Sequence, residues 1–330
     1  MADFSVDVII INWNHGNIIA ACLDALQAQT CSDFTVTVVD NGSIDGSPEW
    51  LARKYPRIHL LAFSTNLGFS KAFNQAVDRT SHPYVLSLNP DVTANPGFIA
   101  EMVQAIRQDE RIGIVAPKLL RANDPRLLDS TGLFVDRRRR PYDRGQGKPD
   151  DGSYDTRLDI FGACGGAALY RRAMLQDLAL RIQDGGERQE YFDEDFFAYY
   201  EDADLSWRAQ GRGWRAVYAP RAAAAHVRGW GDTLRRGKQR ASPGARLALC
   251  NRYLMTIKND ALGYFCADLP RIILAELPRL AYAALVAPET LRGIADLIKA
   301  APSALRKRKQ IQQRRTVNAQ EVRRWFYAKP

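Results

Sequence analysis

Cysteines are few in this sequence, and their spacing excludes two common uses of the residue. There are five, an odd number, and no two of them form a Cys-x-x-Cys pair. A zinc ribbon and a small disulfide-stapled fold are therefore excluded. Unpaired cysteines are typical of a reducing compartment, so we expect a cytoplasmic location.

Long hydrophobic runs are also absent. The N-terminal residues carry no positive charge before the apolar run at 6–11 and no small-residue cleavage site, so we expect a buried strand there and not a signal peptide. The most apolar later stretch, residues 269–288, is interrupted by Arg271, Glu276, Arg279 and prolines, which predicts no membrane-spanning helix. The composition, 46% hydrophobic and 25% charged, excludes disordered and fibrous proteins.

Acidic residues are scarce only near the C-terminus. The whole chain has a net charge of +9. Residues 301–330 contain nine Lys and Arg and one Glu, a net charge of +8, so residues 1–300 are nearly neutral. A second basic run, residues 137–140, has two interpretations, a solvated loop or a contact for phosphate or anionic lipid.

Strand-like and helix-like patterns alternate through the first half of the chain. Strands are predicted at 6–11, 35–39, 58–62, 84–88, 112–116, 161–171 and 214–218, and helices at 18–26, 69–79, 96–107 and within 191–208. Residues 121–160 are predicted to be loops, and the chain from residue 247 is predicted to be helical, cut by Pro270, Pro278, Pro288 and Pro302. The alternation predicts an α/β fold with a mostly parallel sheet that binds ligands at the carboxyl ends of its strands.

Polar clusters follow three of these strands. They are Asn12-Trp13-Asn14, residues 40–43, and Asn89-Pro90-Asp91. Since parallel strands end at one edge of a sheet, the clusters favour a nucleotide site there. A simple helix N-cap is the alternative interpretation of Asp40.

Six segments, in order, resemble family 2 glycosyltransferases, above all the branch with bacterial rhamnosyltransferases of cell-wall and O-antigen assembly. The segments are VIIINWN (8–14), VVDNGSIDGS (38–47), NLGFSKAFNQA (66–76), LNPDV (88–92), GACGGAALYRR (162–172) and FFAYYEDADLSWRAQGRGWR (196–215). The resemblance implies a GT-A fold, with a catalytic domain at 1–245, divided near residue 120 into nucleotide-sugar and acceptor halves. Residues 246–330 would form a helical, basic extension beyond the resemblance.

The resemblance also implies which residues bind the nucleotide sugar. They are Asn12, Trp13, Asn14, Asp40, Asn66, Gly68, Asn74 and Asn89. Gly68 has a second interpretation, a glycine that merely lets the chain enter a helix.

A divalent cation, Mg²⁺ or Mn²⁺, is implied by the segment that ends in Asp91. Asn89 and Asp91 occupy the place of the family's Asp-x-Asp motif, so Asp91 would be the main ligand, and His226 would lie near the metal and the diphosphate. The alternatives are a turn residue for Asp91 and an ordinary polar side chain for His226. Residues 228–231 depart from the family's pattern after that histidine.

The adjacent acids Glu201 and Asp202 are the predicted catalytic residues. An inverting transfer needs one base on the acceptor side, and neighbouring carboxylates raise each other's proton affinity. The resemblance assigns the base to Asp202, with Glu201 orienting the acceptor. Asp204 lies four residues before Arg208, which predicts an ordinary ion pair along a helix.

Gly165, Gly166 and Trp207 are predicted to lie on the acceptor side. Backbone N–H groups of the glycines could meet the diphosphate or the acceptor, and they could equally serve close strand packing. Trp207 and its aromatic neighbours divide between core and sugar-stacking roles.

These residues predict an inverting glycosyltransferase that uses dTDP-rhamnose in preference to UDP- or GDP-sugars. A lipid-linked or polysaccharide acceptor is expected at the inner face of the cell membrane, with residues 270–330 either touching anionic lipid or capping the core. The alternatives are a nucleotidyltransferase and a non-catalytic subunit that binds membrane or nucleic acid. Nucleic acid is not the expected partner.

Overall fold

The computed structural model describes residues 5–182, 188–228 and 243–327. The strands are β1 (Val6–Asn12), β2 (Phe34–Asn41), β3 (His59–Phe63), β4 (Tyr84–Leu88), β5 (Val92–Ala94), β6 (Ile112–Arg121), β7 (Asp124–Ser130), β8 (Leu133–Val135), β9 (Pro141–Asp143), β10 (Asp159–Ile160), β11 (Ala167–Arg171), β12 (Leu180–Ile182), β13 (Arg188–Glu190) and β14 (Arg215–His226). The α-helices are α1 (Ile19–Gln27), α2 (Ser47–Lys54), α3 (Phe69–Val77), α4 (Phe98–Ile106), α5 (Arg172–Leu178), α6 (Glu201–Arg212), α7 (Pro243–Asn259), α8 (Leu262–Val286), α9 (Arg292–Gln313) and α10 (Ala319–Arg323). Two 3₁₀ turns cover Pro288–Leu291 and Arg324–Tyr327.

One mixed sheet organises the molecule. Its strand order is β10-β14-β6-β11-β4-β1-β2-β3, with β5 added beside β14 and β7 beside β6. Strands β1 to β4 run parallel to their neighbours in that half, and β14 runs parallel to β6. Only β11, β10, β5 and β7 pair antiparallel within the described part of this sheet. The predicted α/β fold with a mostly parallel sheet and C-terminal helices is confirmed.

Helices cover both faces of the sheet because its central strands are apolar on both. Along β1, Val8 and Ile10 pack with α1, α2 and α4, whereas Ile9 packs with α3, α5 and α6. This explains why β1 appears in the sequence as an unbroken apolar run, since alternate residues serve different cores.

The prediction of loops over residues 121–160 is wrong. Strands β7 to β10 lie there, and β8 and β9 form a hairpin. Charged residues interrupt the apolar pattern in this region, so its strands form through pairing with distant segments and not through local periodicity.

The prediction that four prolines interrupt the C-terminal helices is also wrong in part. Pro270 and Pro278 lie inside α8 and Pro302 lies inside α9, so only Pro288 marks a break. Each of the three internal prolines is exposed, which lets water reach the carbonyl that loses its hydrogen bond.

The basic run at 137–140 is the turn between β8 and β9, and neither predicted interpretation describes it. Arg139 is 1% exposed and bonds Asp260 and Asp268, while Arg140 bonds Glu276. The anions that this run binds are therefore carboxylates of the chain's own C-terminal helices.

The C-terminal helices pack closely on the sheet region. A third apolar cluster joins Phe161, Phe196 and Trp207 to Leu254 of α7 and to Phe326. No helix within residues 5–182, 188–228 and 243–327 has the length and hydropathy needed to cross a membrane.

Candidate functional site

The ends of β1 and β2 form a polar edge, as their parallel pairing requires. Asn12 is fully buried and donates through Nδ2 to Asp40 Oδ1 at 2.9 Å and to Ser47 Oγ at 3.0 Å. The second oxygen of Asp40 accepts from the backbone N–H of Ser43 at 3.0 Å, and helix α2 begins later, so Asp40 is not its N-cap. Oδ1 of Asn12 is buried and accepts no hydrogen bond within the described residues.

The two residues after Asn12 turn the chain outward. The side chain of Trp13 is 45% exposed, and Asn14 adopts a left-handed conformation with φ of 56°. The Asn14 side chain stabilises this turn, since its Oδ1 accepts from the N–H of Ile44 at 2.8 Å. Trp13 is thus available for stacking against a flat group.

Asn66 and Gly68 form a tight turn next to the same edge. Asn66 Oδ1 accepts from the N–H of Gly68 at 2.8 Å and from Nδ2 of Asn41 at 3.0 Å. Gly68 has φ of 81°, and a Cβ there would lie 2.5 Å from the carbonyl oxygen of Phe197. Gly68 lies at the entry of α3, as its second interpretation has it, and its missing side chain lets the backbone of Phe197 approach.

Asn74 and Trp207, predicted to face the nucleotide sugar and the acceptor, are buried and contact other parts of the protein. The Asn74 amide donates to Phe192 O at 2.8 Å and to Glu194 Oε1 at 3.1 Å, and its oxygen accepts from Phe192 N–H. Trp207 is 3% exposed and packs edge-on against Phe326. Through these contacts both residues attach the α6 region to the rest of the fold.

Asp91 and His226 meet because β5 pairs with β14, where His226 lies opposite Val92. Nε2 of His226 lies 3.4 Å from Oδ1 of Asp91, and its Nδ1 lies 2.7 Å from Oδ2 of Asp129. Burial alone would lower the pKa of His226, but the hydrogen bonds and charges of Asp129 and Asp91 raise it to about 9.

These two side chains fit a divalent cation. Asp91 Oδ1 is buried with Nε2 of His226 3.4 Å away, and that nitrogen would lose its proton to a metal. No cluster of three or more His, Cys, Asp or Glu suited to a metal occurs in residues 5–182, 188–228 and 243–327. The remaining ligands would have to be water and phosphate oxygens, the pattern typical of Mg²⁺. Residues 229–231, where the sequence departs from the family, lie outside the described residues.

Gly165 and Gly166 connect this pair to the predicted base. The N–H of Gly165 donates to Asp202 Oδ2 at 2.7 Å. The carbonyl of Gly166 accepts from the N–H of Asn89 at 3.0 Å, and a Cβ on Gly166 would lie 3.1 Å from the His226 ring. One dipeptide therefore contacts both Asp202 and His226, and the N–H of Gly165 serves the protein and not a diphosphate.

Glu201 and Asp202 differ in their hydrogen bonding. Burial raises the pKa of both, and the charge of Asp202 raises that of Glu201 further. Asp202 accepts from the N–H groups of Ala203 and Gly165, each at 2.7 Å, which favours its ionised form. Oε2 of Glu201 accepts no hydrogen bond in the described part of the chain. Asp202 is therefore the member of the pair that ionises first.

A strained turn places these acids at the start of α6. Tyr199 and Tyr200 both have φ of 73°, a left-handed conformation that aromatic residues rarely adopt. Asn251 of α7 stabilises the turn by donating to the carbonyls of Ala198 and Tyr199 at 2.8 and 2.9 Å. The C-terminal helices thus help to determine where Glu201 and Asp202 lie.

Asp204 has the structural role that its spacing predicts. It pairs with Arg208 at 2.9 Å, confirming the ion pair along α6. It also contacts Lys258 Nζ at 3.0 Å and Asn259 Nδ2 at 2.7 Å, and Asp204 and Lys258 are fully buried. This polar contact joins the acidic helix to α7.

Two residues of the site region, Asp129 and Asn251, were missed by sequence reasoning. Asp129 lies near the end of β7, within the segment predicted to be loops. A strand prediction there would have made this acid a candidate for the site, since it follows an apolar stretch at a strand end. Asn251 lies in the middle of a helix in the C-terminal third and carries no local signal, because its partners are fifty residues away in sequence.

Comparison with known proteins agrees with this geometry. Residues 7–179, more than half of the chain, match the model of glycosyl transferase family 2. An N-acetylglucosaminyl-diphospho-decaprenol L-rhamnosyltransferase of Mycobacterium tuberculosis is 26% identical over 255 residues, 66% of this chain and 75% of that protein. An N-acetylglucosaminyltransferase of Rhizobium sp. is 28% identical over 68% of this chain and 48% of its own length.

Solved structures show a similar fold. A mannosyltransferase of Pyrobaculum calidifontis, solved with GDP-Man and Mn²⁺, aligns with a TM-score of 0.50 at 21% identity, over 98% of this chain and 83% of that one. S. aureus TarS aligns with a TM-score of 0.54 at 16% identity, over 98% and 90%. These neighbours have the GT-A architecture. The chain therefore belongs to glycosyl transferase family 2 and has its GT-A fold.

Proposed function

We propose that the protein is an inverting glycosyltransferase that moves a sugar from a nucleoside-diphosphate donor to an acceptor hydroxyl. The observation that carries this proposal is the dipeptide Gly165-Gly166, which contacts Asp202 on one side and the His226 ring on the other. A transferase of this kind needs a base for the acceptor and a positive charge for the departing diphosphate.

In the proposed reaction, Asp202 takes the proton of the acceptor hydroxyl as that oxygen attacks the anomeric carbon. Glu201, with the higher proton affinity, keeps its proton and donates a hydrogen bond to orient the acceptor. Asp91 and His226 would bind the cation, which when bound offsets the negative charge that develops on the leaving diphosphate. Asn12, Trp13 and the β2 edge would bind the nucleoside.

We propose dTDP-rhamnose as the donor and a lipid-linked or polysaccharide hydroxyl as the acceptor. The mycobacterial relative, an N-acetylglucosaminyl-diphospho-decaprenol L-rhamnosyltransferase, supports rhamnose as the sugar and a lipid-linked acceptor. Such an acceptor lies in a membrane, so the enzyme would work from the cytoplasm at the inner membrane face.

A donor screen tests this proposal together with the cation. We expect dTDP-rhamnose with Mg²⁺ or Mn²⁺ to raise the melting temperature more than UDP- or GDP-sugars do, and a chelator to reduce the effect, because ligands that bind the native state stabilise it. In Asp91→Asn the cation should make no difference, while the exposed-loop control Asp151→Asn should behave as wild type. A larger shift with another donor would contradict rhamnose and leave the family intact.

The rate of transfer should depend on pH through Asp202. The base must be ionised, and burial raises its pKa, so kcat/KM should fall as the pH is lowered through a value well above the usual carboxylate range near 4. A pH–rate profile under saturating cation measures this. A profile that stays flat down to pH 5 would contradict the assignment.

A further inference from the structure

Helix α8 buries its two acidic side chains and exposes most of its leucines, the reverse of what is usual for a helix at a protein surface. Its buried positions are Asp268, Ile272, Glu276 and Ala283. Most of its leucines face outward instead, with Leu274 exposed by 75%, Leu277 by 60% and Leu285 by 85%. Leu262, Ile273 and Tyr282 are also exposed.

The two buried acids have a structural task. Asp268 bonds Arg137 and, at 2.9 Å, Arg139, and Glu276 bonds Arg140 at 3.2 Å and Tyr253 at 2.9 Å. These contacts dock α8 on the β8–β9 turn and on α7. The inward face is thus fully explained by the fold, and the outward face needs another explanation.

The outward face is a continuous apolar stripe. Its residues recur at intervals of three and four, so they lie along one side of the helix. They are Cys266, Pro270, Ile273, Leu274, Leu277, Pro278, Ala281, Ala284 and Leu285, all of them exposed.

The charge that borders the stripe is positive. Arg271 is exposed and, at 100° per residue, lies beside one edge of the stripe, whereas Arg279 lies on the far side of the helix. Both acids of α8 are buried, so Leu262–Val286 exposes no carboxylate. An apolar stripe with an arginine at its edge and no exposed carboxylate on its helix matches a surface with an apolar interior and anionic head groups.

The basic residues 301–330 are less suited to contact with anionic lipid than their net charge indicates. Lys307 is 3% exposed and bonds Glu190 and Asp195, and Arg308 and Arg314 bond backbone carbonyls. Much of the positive charge of residues 301–330 therefore attaches the C-terminal helices to the rest of the fold.

We propose that the outward stripe of α8, with Arg271 at its edge, is the surface by which this protein docks on an anionic lipid bilayer. The helix would lie in the plane of the interface, with Leu274, Leu277 and Leu285 entering the boundary between head groups and acyl chains. This inference deepens the proposed function, on which it rests for the lipid-linked acceptor. Docking on the bilayer would bring that acceptor within reach of α6.

Vesicle sedimentation of the full chain tests the surface, without donor or acceptor. Wild type should bind vesicles of equal parts phosphatidylglycerol and phosphatidylcholine, and bind phosphatidylcholine alone more weakly. Leu274→Gln/Leu277→Gln/Leu285→Gln should weaken binding at least about tenfold, since each leucine loses its transfer into an apolar phase. Arg271→Gln should weaken binding to the anionic vesicles by about fivefold.

A tail variant with the same loss of charge is the matched control. Arg306 is exposed on α9, and Arg306→Gln should change binding less than twofold. Circular dichroism and the melting temperature check that each variant is folded.

Three results would overturn the proposal. The first is that wild-type protein stays in solution. The second is that the tail variant loses vesicle binding while the leucine variant keeps it. The third is that wild type is a dimer which the leucine substitutions dissociate. The last result would assign the stripe to a second copy of the chain. Because the assay contains no nucleotide sugar, it can fail while the donor screen succeeds, and the reverse.

Discussion

Replacing Asp202 by asparagine is expected to lower the rate of sugar transfer by about 10²- to 10⁴-fold, the usual contribution of a general base. The amide oxygen can still accept from the N–H of Gly165, so the shape of the site is retained while the proton acceptor is lost. Initial rates at saturating donor, cation and acceptor measure the effect, and the melting temperature verifies the fold.

Two further variants make this result specific. Glu201→Gln should reduce the rate much less than Asp202→Asn, since burial and the neighbouring charge already keep the Glu201 side chain protonated. Asp151→Asn removes a carboxylate from an exposed loop and should leave the rate unchanged. Folded Asp202→Asn protein with full activity, or a larger loss in Glu201→Gln, would show that Asp202 is not the base.

Lys258→Met is expected to cost about 3–5 kcal/mol of unfolding free energy, the range seen when one partner of a buried ion pair is removed. The ammonium group is fully buried, contacts Asp193, and lies 3.0 Å from Asp204 Oδ1 and 3.8 Å from the centre of the Phe196 ring. Methionine would fill the space but leave two buried carboxylates short of a cation. Urea unfolding at neutral pH measures the loss.

The exposed Lys299 of α9 supplies the control for this experiment. Lys299→Met removes the same charge from a surface position and should change the free energy by less than about 0.5 kcal/mol. If Lys258→Met were equally mild, α7 would not be an integral part of the catalytic fold, and a separable extension would be the better description.

Elements in the first 120 residues were predictable because their signals are local. Strand β4 has the bounds predicted for it, Tyr84–Leu88, and β1 differs by one residue. These strands are apolar on both sides and are separated by amphipathic helices, a pattern that only an α/β sandwich of layers satisfies. In β7 to β10 the stabilising partners are distant strands, and the local composition carried no comparable signal.

The candidate site divides in the same way. The polar clusters at 12–14, 40–43 and 89–91 could be assigned to one sheet edge from sequence, since parallel strands end together. Their partners could not, because Asp129 meets His226 across 97 residues and Asn251 meets Tyr199 across 52. No periodicity or motif encodes a contact between segments that far apart.

The net charge of +9 shows the same division at the scale of the whole chain. Composition and order of residues settle how many charges exist, which segments are apolar and which family motifs are present. Only the tertiary structure decides which charges reach water: it buries Arg139 and Lys307 against carboxylates and turns the leucines of α8 outward. The physical reason is that burial and pairing of a side chain depend on what packs against it, and the carboxylates that pair with Arg139 and Lys307 come from segments distant in sequence.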